Sequence, residues 1–389
     1  MRESKLFTFY SFLIFLLFVD SMYPWYMWEN YVRQGTTLIG ALVSIYIGRK
    51  EAYRFSITKS GIILCLFVFV SMVWNISGGD GSPISSVFKY LVIIFLILLR
   101  PVYRIALLSY ITKWYASVLI FSLFSYISYI VGLYSINPSV IIFNDGQYVC
   151  NNFYTFIVST KDFESAFRFM SIFMEPGHMT MGTVSLIMAN RFDLSNRYVK
   201  MLVVCELFTF SLAGYITLFV GYVLFNATPS RLKNLFVGTA IVGLILFIIS
   251  QTEYSVVLDQ FIFQRLEFKD GDIAGNNRVS SNFQKVYDQF INSSDVWFGN
   301  STIDVTAFGG ISGYKKYLVQ NGIVGLTLCL LVYTLQFFRY LKYDIGVFTL
   351  ILLLLLYQNA YPYWFCMIGM YILGTDKLMY KKKRYIYGK

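Results

Sequence analysis

Where one long polar stretch returns to an apolar run, the chain reads Arg168-Phe169-Met170-Ser171-Ile172-Phe173-Met174-Glu175-Pro176-Gly177-His178. A carboxylate, a helix-starting proline, a glycine and the single histidine meet there. Ionisable groups at the mouth of an apolar helix are costly unless they are used or paired. Glu175 is placed to take a proton from an attacking hydroxyl, and His178, about one helical turn on, to orient it or share that role. A structural alternative stands beside this one: Glu175 pairs with Arg168 to close the span and His178 sits at the interface. A second polar stretch carries Gly275-Asn276-Asn277-Arg278-Val279-Ser280-Ser281-Asn282-Phe283 and then Trp297-Phe298-Gly299-Asn300. A guanidinium beside flexible Gly/Asn backbone suits phosphate or diphosphate oxygens, which it can hold two at a time. Arg278 is the stronger candidate, Arg265 and Lys315/Lys316 weaker ones, and plain solvation is the alternative for all of them. Small residues in Thr209-Phe210-Ser211-Leu212-Ala213-Gly214-Tyr215-Ile216 and in Gly322-Ile323-Val324-Gly325 read as close-packing positions.

Such groups need a scaffold, and the composition says which kind. Of 389 residues, 57% are hydrophobic, 19% aromatic and 14% charged, with a mean hydropathy of +0.59. Soluble domains carry about 25% charged residues, so a water-soluble globule is excluded. The apolar content supplies on the order of eleven membrane spans. The formal charge of +11 does not point to nucleic acid, because the basic residues lie in short clusters at the ends of apolar runs. The five cysteines show no CxxC spacing and one histidine cannot build a zinc site, so neither a disulfide framework nor a metal is expected. Walker and dinucleotide fingerprints are absent, which disfavours nucleotide-driven chemistry and any cofactor.

Apolar runs predict spans near 6–27, 34–48, 60–77, 84–99, 110–133, 176–190, 200–212, 213–227, 235–250, 317–338, 345–360 and 362–375. The first is read as an uncleaved span ending in the interfacial aromatics Tyr23-Pro24-Trp25-Tyr26-Met27-Trp28. With both termini in the cytoplasm, basic clusters at Arg2/Lys5, Arg49/Lys50/Arg54, Arg100/Arg104, Arg191/Arg197/Lys200, Arg231/Lys233, Arg339/Lys342 and Lys377–Arg384 fall on one side. They hold more than half of the 32 Lys and Arg. Residues 200–227 return to the side they left, so they form two short spans hinged near 211–214, or a re-entrant pair. The expected architecture is an all-α polytopic membrane protein of about twelve helices. It is one domain over 1–389, with large outer loops at 134–175 and 251–316 and a basic cytoplasmic tail at 376–389. Loops of this length in compact proteins commonly carry function.

Taken in order, these elements resemble the Wzy-type O-antigen and capsule repeat-unit polymerases, within a wider group that includes the O-antigen ligases. The resemblance rests on five spans, an outer loop ending in Arg168…Glu175-Pro176-Gly177, the hairpin Thr209–Tyr215, and a large outer loop. That loop carries Gly275–Arg278 and Trp297–Asn300 ahead of Gly322–Gly325. It implies an enzyme at the periplasmic face of a bacterial inner membrane. The growing glycan would pass from undecaprenyl diphosphate to a hydroxyl of the next lipid-linked repeat, beside a flippase and a chain-length regulator of the same pathway. It further implies Arg278 and Arg168 on the diphosphate, Glu175 or His178 at the acceptor, and Arg265, Asn277 and Tyr215 as further substrate contacts, without metal. Ligases of the group carry a histidine shortly before the glycine-containing span; the corresponding stretch here, Phe308–Lys316, has none. Ligase is therefore the second reading. A lipid-linked oligosaccharide flippase is the third, since transporters show repeat-related halves with short loops and mid-depth charges, whereas this chain concentrates polar residues in two outer loops and shows no such repeat.

Overall fold

The computed structural model describes residues 4–27, 30–77, 83–133, 136–143, 148–160, 168–226, 268–269, 272–273, 280–303, 313–340 and 365–374. Among these the chain is mostly helical. The helices are α1 (Lys5–Asp20), α2 (Asn30–Lys50), α3 (Lys59–Ser77), α4 (Pro83–Leu98), α5 (Pro101–Ile130), α6 (Pro176–Ala189), α7 (Arg197–Leu207), α8 (Leu212–Asn226), α9 (Ser281–Ile291), α10 (Gly313–Tyr340) and α11 (Phe365–Gly374). Three are long and apolar enough to cross a membrane: Lys59–Ile76, Pro101–Ile130 and Gly313–Leu335. The predicted runs at 235–250 and 345–360 and the tail 376–389 lie outside the described residues.

Local chemistry sets the helix starts. Ser4, Asn196 and Ser280 accept backbone N–H bonds through their side chains at the starts of α1, α7 and α9, and Pro101 and Pro176 open α5 and α6 with a preset φ. Pro101 starts α5 nine residues ahead of the expected 110, which draws Arg104 into the helix. There it is 1% exposed. Arg54 is equally enclosed, paired with Glu51 and lying over the rings of Phe7 and Tyr103 at 4.6 and 4.4 Å. Two cations counted among the flanking clusters are thus built into the packing.

Neighbouring helices run in the order α10–α3–α4–α2–α1–α5–α7–α6–α8. At one end Ser56 and Arg100 backbone amides donate to Leu98 and Arg54 carbonyls at 2.8 Å, tying the α2–α3 link to the α4–α5 link. At the other end sits a small antiparallel sheet, which corrects the all-α expectation. Strands β1 (Ser139–Phe143), β2 (Tyr148–Asn152) and β3 (Ile157–Ser159) pair in chain order, with Ile141 opposite Cys150 and Cys150 opposite Ser159. Runs such as Val140-Ile141-Ile142-Phe143 are β-branched and aromatic, and here they form a strand rather than part of a helix. The β2–β3 turn seats the sheet on the last turns of α5, where Phe153 packs at a tilt on Tyr129 (centroids 4.7 Å apart) and Phe156 edge-to-face on Tyr126 (5.8 Å).

Large apolar side chains project outward along the helices, among them Leu42, Leu66, Phe69, Phe121 and Phe124, each more than half exposed. Exposed apolar side chains along helices of this length fit a hydrocarbon surrounding.

Candidate functional site

The segment 168–175 is held from three directions. The Ile157 amide of β3 donates to the Ser171 carbonyl, and the Trp25 amide from the α1–α2 link donates to that of Ile172, both at 2.8 Å. The Phe169 amide donates to Phe208 in the α7–α8 turn at 3.0 Å. Pro24 and Phe173 form an isolated bridge, and the Trp25 indole Nε1 donates to the Tyr154 carbonyl at 3.2 Å. Tyr23–Trp28 was expected as an aromatic belt; within it, Trp25 is a strap onto the sheet. Four of the six non-glycine residues with positive φ among the described residues gather here: Tyr23, Tyr154, Ser171 and Phe210. Each such backbone costs on the order of 1–3 kcal/mol and persists only where its surroundings enforce it.

Arg168 leaves this segment toward the α7–α8 turn, and its Nε donates to the Thr209 carbonyl at 3.1 Å. Two motifs that are 41 residues apart in sequence are therefore in contact. Glu175 is the N-cap of α6 in extended backbone, but its carboxylate does not cap the helix. The first turn carries His178 beside it, with its backbone amide on the Glu175 carbonyl at 3.1 Å. The imidazole packs on Tyr23 (centroids 5.7 Å apart, planes at 33°), and Arg33 covers that ring with its Cζ 4.8 Å from the centroid. A guanidinium not singled out in the sequence thus lies one ring away from His178.

The turn between α7 and α8 is organised by Glu206, a residue that sequence reasoning passed over. It is fully buried. Its Oε1 accepts from Thr180 Oγ1 of α6 at 2.6 Å and from Thr209 Oγ1 at 3.4 Å, and its backbone carbonyl accepts from Thr209 Oγ1 at 2.8 Å. Its Oε2 has no hydrogen-bond partner among the described residues. Gly214 makes room for the carboxylate: a Cβ there would stand 2.2 Å from Oε1. The signal was available, since Glu206 is the only acidic residue in the apolar stretch 200–227, where a carboxylate is expensive. Tyr215 is anchored by its hydroxyl to the Leu207 carbonyl.

Of the predicted site residues, Arg168, Glu175, His178 and Tyr215 are placed around this junction. Arg265, Asn277 and Arg278 lie outside the described residues. Lys315 reaches Gln284 Oε1 at 2.6 Å and covers Tyr287, joining α10 to α9. Trp297–Asn300 and Gly322–Gly325 form one interlock: the Asn300 amide donates to Val319 at 2.7 Å and the Val324 amide to Trp297 at 3.0 Å. No group of three or more His, Cys, Asp or Glu side chains converges as a metal would require, among the described residues. The chemistry available at the junction is a carboxylate that can take a proton, an imidazole of fixed plane beside it, and a guanidinium for an anion. No family profile, curated protein or solved structure matches this chain.

Proposed function

We propose that this chain is a membrane-embedded glycan polymerase acting on oligosaccharide repeats linked to undecaprenyl diphosphate. The observation that carries the reading is the contact between Arg168 and the Thr209 carbonyl. It joins in space the two motifs, Arg168…Glu175-Pro176 and Thr209–Tyr215, on whose order the family resemblance rests. In this reading the twelve predicted spans cross the inner membrane, with both termini cytoplasmic and the sheet, Glu175 and His178 facing the periplasm.

The reaction needs no nucleotide, because the sugar–diphosphate bond is already activated. An acceptor hydroxyl of one lipid-linked repeat attacks the anomeric carbon of the growing chain. The new glycosidic C–O bond forms as the C–O bond to diphosphate breaks. The proton passes to Glu175, which His178 orients, and the leaving lipid diphosphate keeps the electron pair beside Arg168. Arg278 is a second diphosphate ligand in the same reading. The flippase and the chain-length regulator of the pathway are the expected partners.

The test is the surface-glycan profile of a strain lacking the protein, with and without its restoration. A ladder on restoration, against core bearing a single repeat in the deletion, supports polymerisation. Bare core with long lipid-linked polymer in the deletion identifies a ligase instead, and bare core with single repeats stranded on the cytoplasmic side identifies a flippase. Glu175→Gln, present in the membrane at normal amount, is expected to lower polymer formation by roughly 10²-fold or more, the usual worth of a positioned base.

A further inference from the structure

We infer that Glu206 is the positioning residue for Arg168, so that a carboxylate buried between α6, α7 and α8 sets the affinity of the site for lipid diphosphate. The inference rests on Arg168 being a diphosphate ligand and adds the residue that aims it.

An arginine side chain has about 2 kcal/mol of rotamer entropy to lose, so a guanidinium meets an anion well only if something else holds its stem. One holder here is a main-chain carbonyl, that of Thr209, on Nε. The direction of that carbonyl is set by the turn 208–211, where Phe210 sits at φ 49 and no helix fixes the backbone. The Thr209 amide donates to the Glu206 carbonyl at 3.1 Å, and side-chain hydroxyls close the rest of the turn. Thr209 Oγ1 donates to the Glu206 carbonyl, the Ser211 amide donates to Thr209 Oγ1 at 3.1 Å, and the Gly214 amide donates to Ser211 Oγ at 3.3 Å. The Glu206 carboxylate then ties this unit to α6 through Thr180 Oγ1 at 2.6 Å. Since α6 begins at Glu175-Pro176, the same bond sets the height of Arg168 against Glu175. A carboxylate without exposure and with one oxygen unpartnered among the described residues is a costly fastener, and an apolar contact would hold two helices as well. What an apolar contact lacks is direction, and direction is what the Thr209 carbonyl needs.

The experiment measures binding of undecaprenyl diphosphate to the full-length protein in nanodiscs, for Arg168→Ala, Glu206→Ala, Glu206→Gln and the double variant Arg168→Ala/Glu206→Ala. Expected are a loss of about tenfold or more for Arg168→Ala and for Glu206→Ala, as for truncation of one member of a buried charged contact. Glu206→Gln, which keeps the acceptor for both threonines, stays within about threefold of the wild type. The double variant binds no worse than Arg168→Ala alone, since Glu206 has nothing left to aim. If Glu206→Ala costs as much in the Arg168→Ala background as in the wild type, or if Glu206→Gln fails like Glu206→Ala, the positioning role is overturned while the function stands. Binding by Arg168→Ala equal to the wild type overturns the inference together with the diphosphate reading of this site. Should Glu206→Ala not accumulate, Thr180→Val removes the tie to α6 with little change in volume and is expected to weaken binding in the same Arg168-dependent way.

Discussion

Glu175 and His178 occupy the same helical turn, yet their side chains do different work. The carboxylate stands at the N-cap without capping, whereas the imidazole is fixed in plane by Tyr23. In the proposed reaction Glu175 takes the proton and His178 orients it. The buried thiol of Cys150 illustrates the opposite case. Set in the middle strand and 1% exposed, it is pushed up to about 11 by burial. Near neutral pH the thiolate, the reactive form, is then well under one part in 10³. Maleimide is expected to leave Cys150 unlabelled in the folded protein and to label it after denaturation, with mass spectrometry of the peptide as the readout. Labelling in the folded state would mean that the sheet opens.

At the scale of elements, α10 is broken where the sequence suggested only packing glycines. Gly322 has φ 66 and Gly299 φ 85, and each lies against main chain of the other's segment: a Cβ on Gly299 would lie 2.4 Å from the Gln320 carbonyl oxygen, and one on Gly322 2.5 Å from the Gly299 nitrogen. Left-handed backbone and contact with main chain both exclude a side chain. Gly299→Ala and Gly322→Ala are each expected to cost at least about 2 kcal/mol, read as a fall in the midpoint of thermal unfolding in detergent. The double variant should lose less than the sum, because both substitutions break one contact. Around this break Trp74 donates to the Asn321 carbonyl at 2.9 Å, and Tyr317 donates to Asn75 at 3.1 Å. The Trp74 side chain of α3 thus satisfies a carbonyl that the break exposes, as any non-helical segment in apolar surroundings requires.

For the whole molecule, the half-helices α7 and α8 are the informative departure from a simple bundle. At 1.5 Å per residue their 11 and 15 residues reach only about 16 and 22 Å, short of the roughly 30 Å hydrocarbon layer. The turn they share lies beside the first turns of α6, where Glu206 and Thr180 meet. Orientation is testable with single cysteines on exposed positions at the two ends. Val140→Cys on the sheet is expected to react with an impermeant maleimide in cells with a permeabilised outer membrane. Ser195→Cys between α6 and α7 is expected to react only once the inner membrane is opened. The reverse pattern would invert the proposed topology and place Glu175 on the cytoplasmic side.

Much of this was legible along the chain because its causes are local. Apolar runs of helical length, prolines at Pro101 and Pro176, and caps at Ser4, Asn196 and Ser280 all have causes that act over a short stretch of chain. The break near Ser211 could be read for a similar reason, since 27 apolar residues between two basic clusters have to turn back. What no spacing encodes is which carbonyl Arg168 finds, that Glu206 is the atom-level anchor of the turn, or that Gly299 and Gly322 share one contact. Those are long-range choices. They are made where helices of fixed length pack and every non-helical N–H and C=O in an apolar interior has to find a partner, a demand that only the folded neighbours can answer.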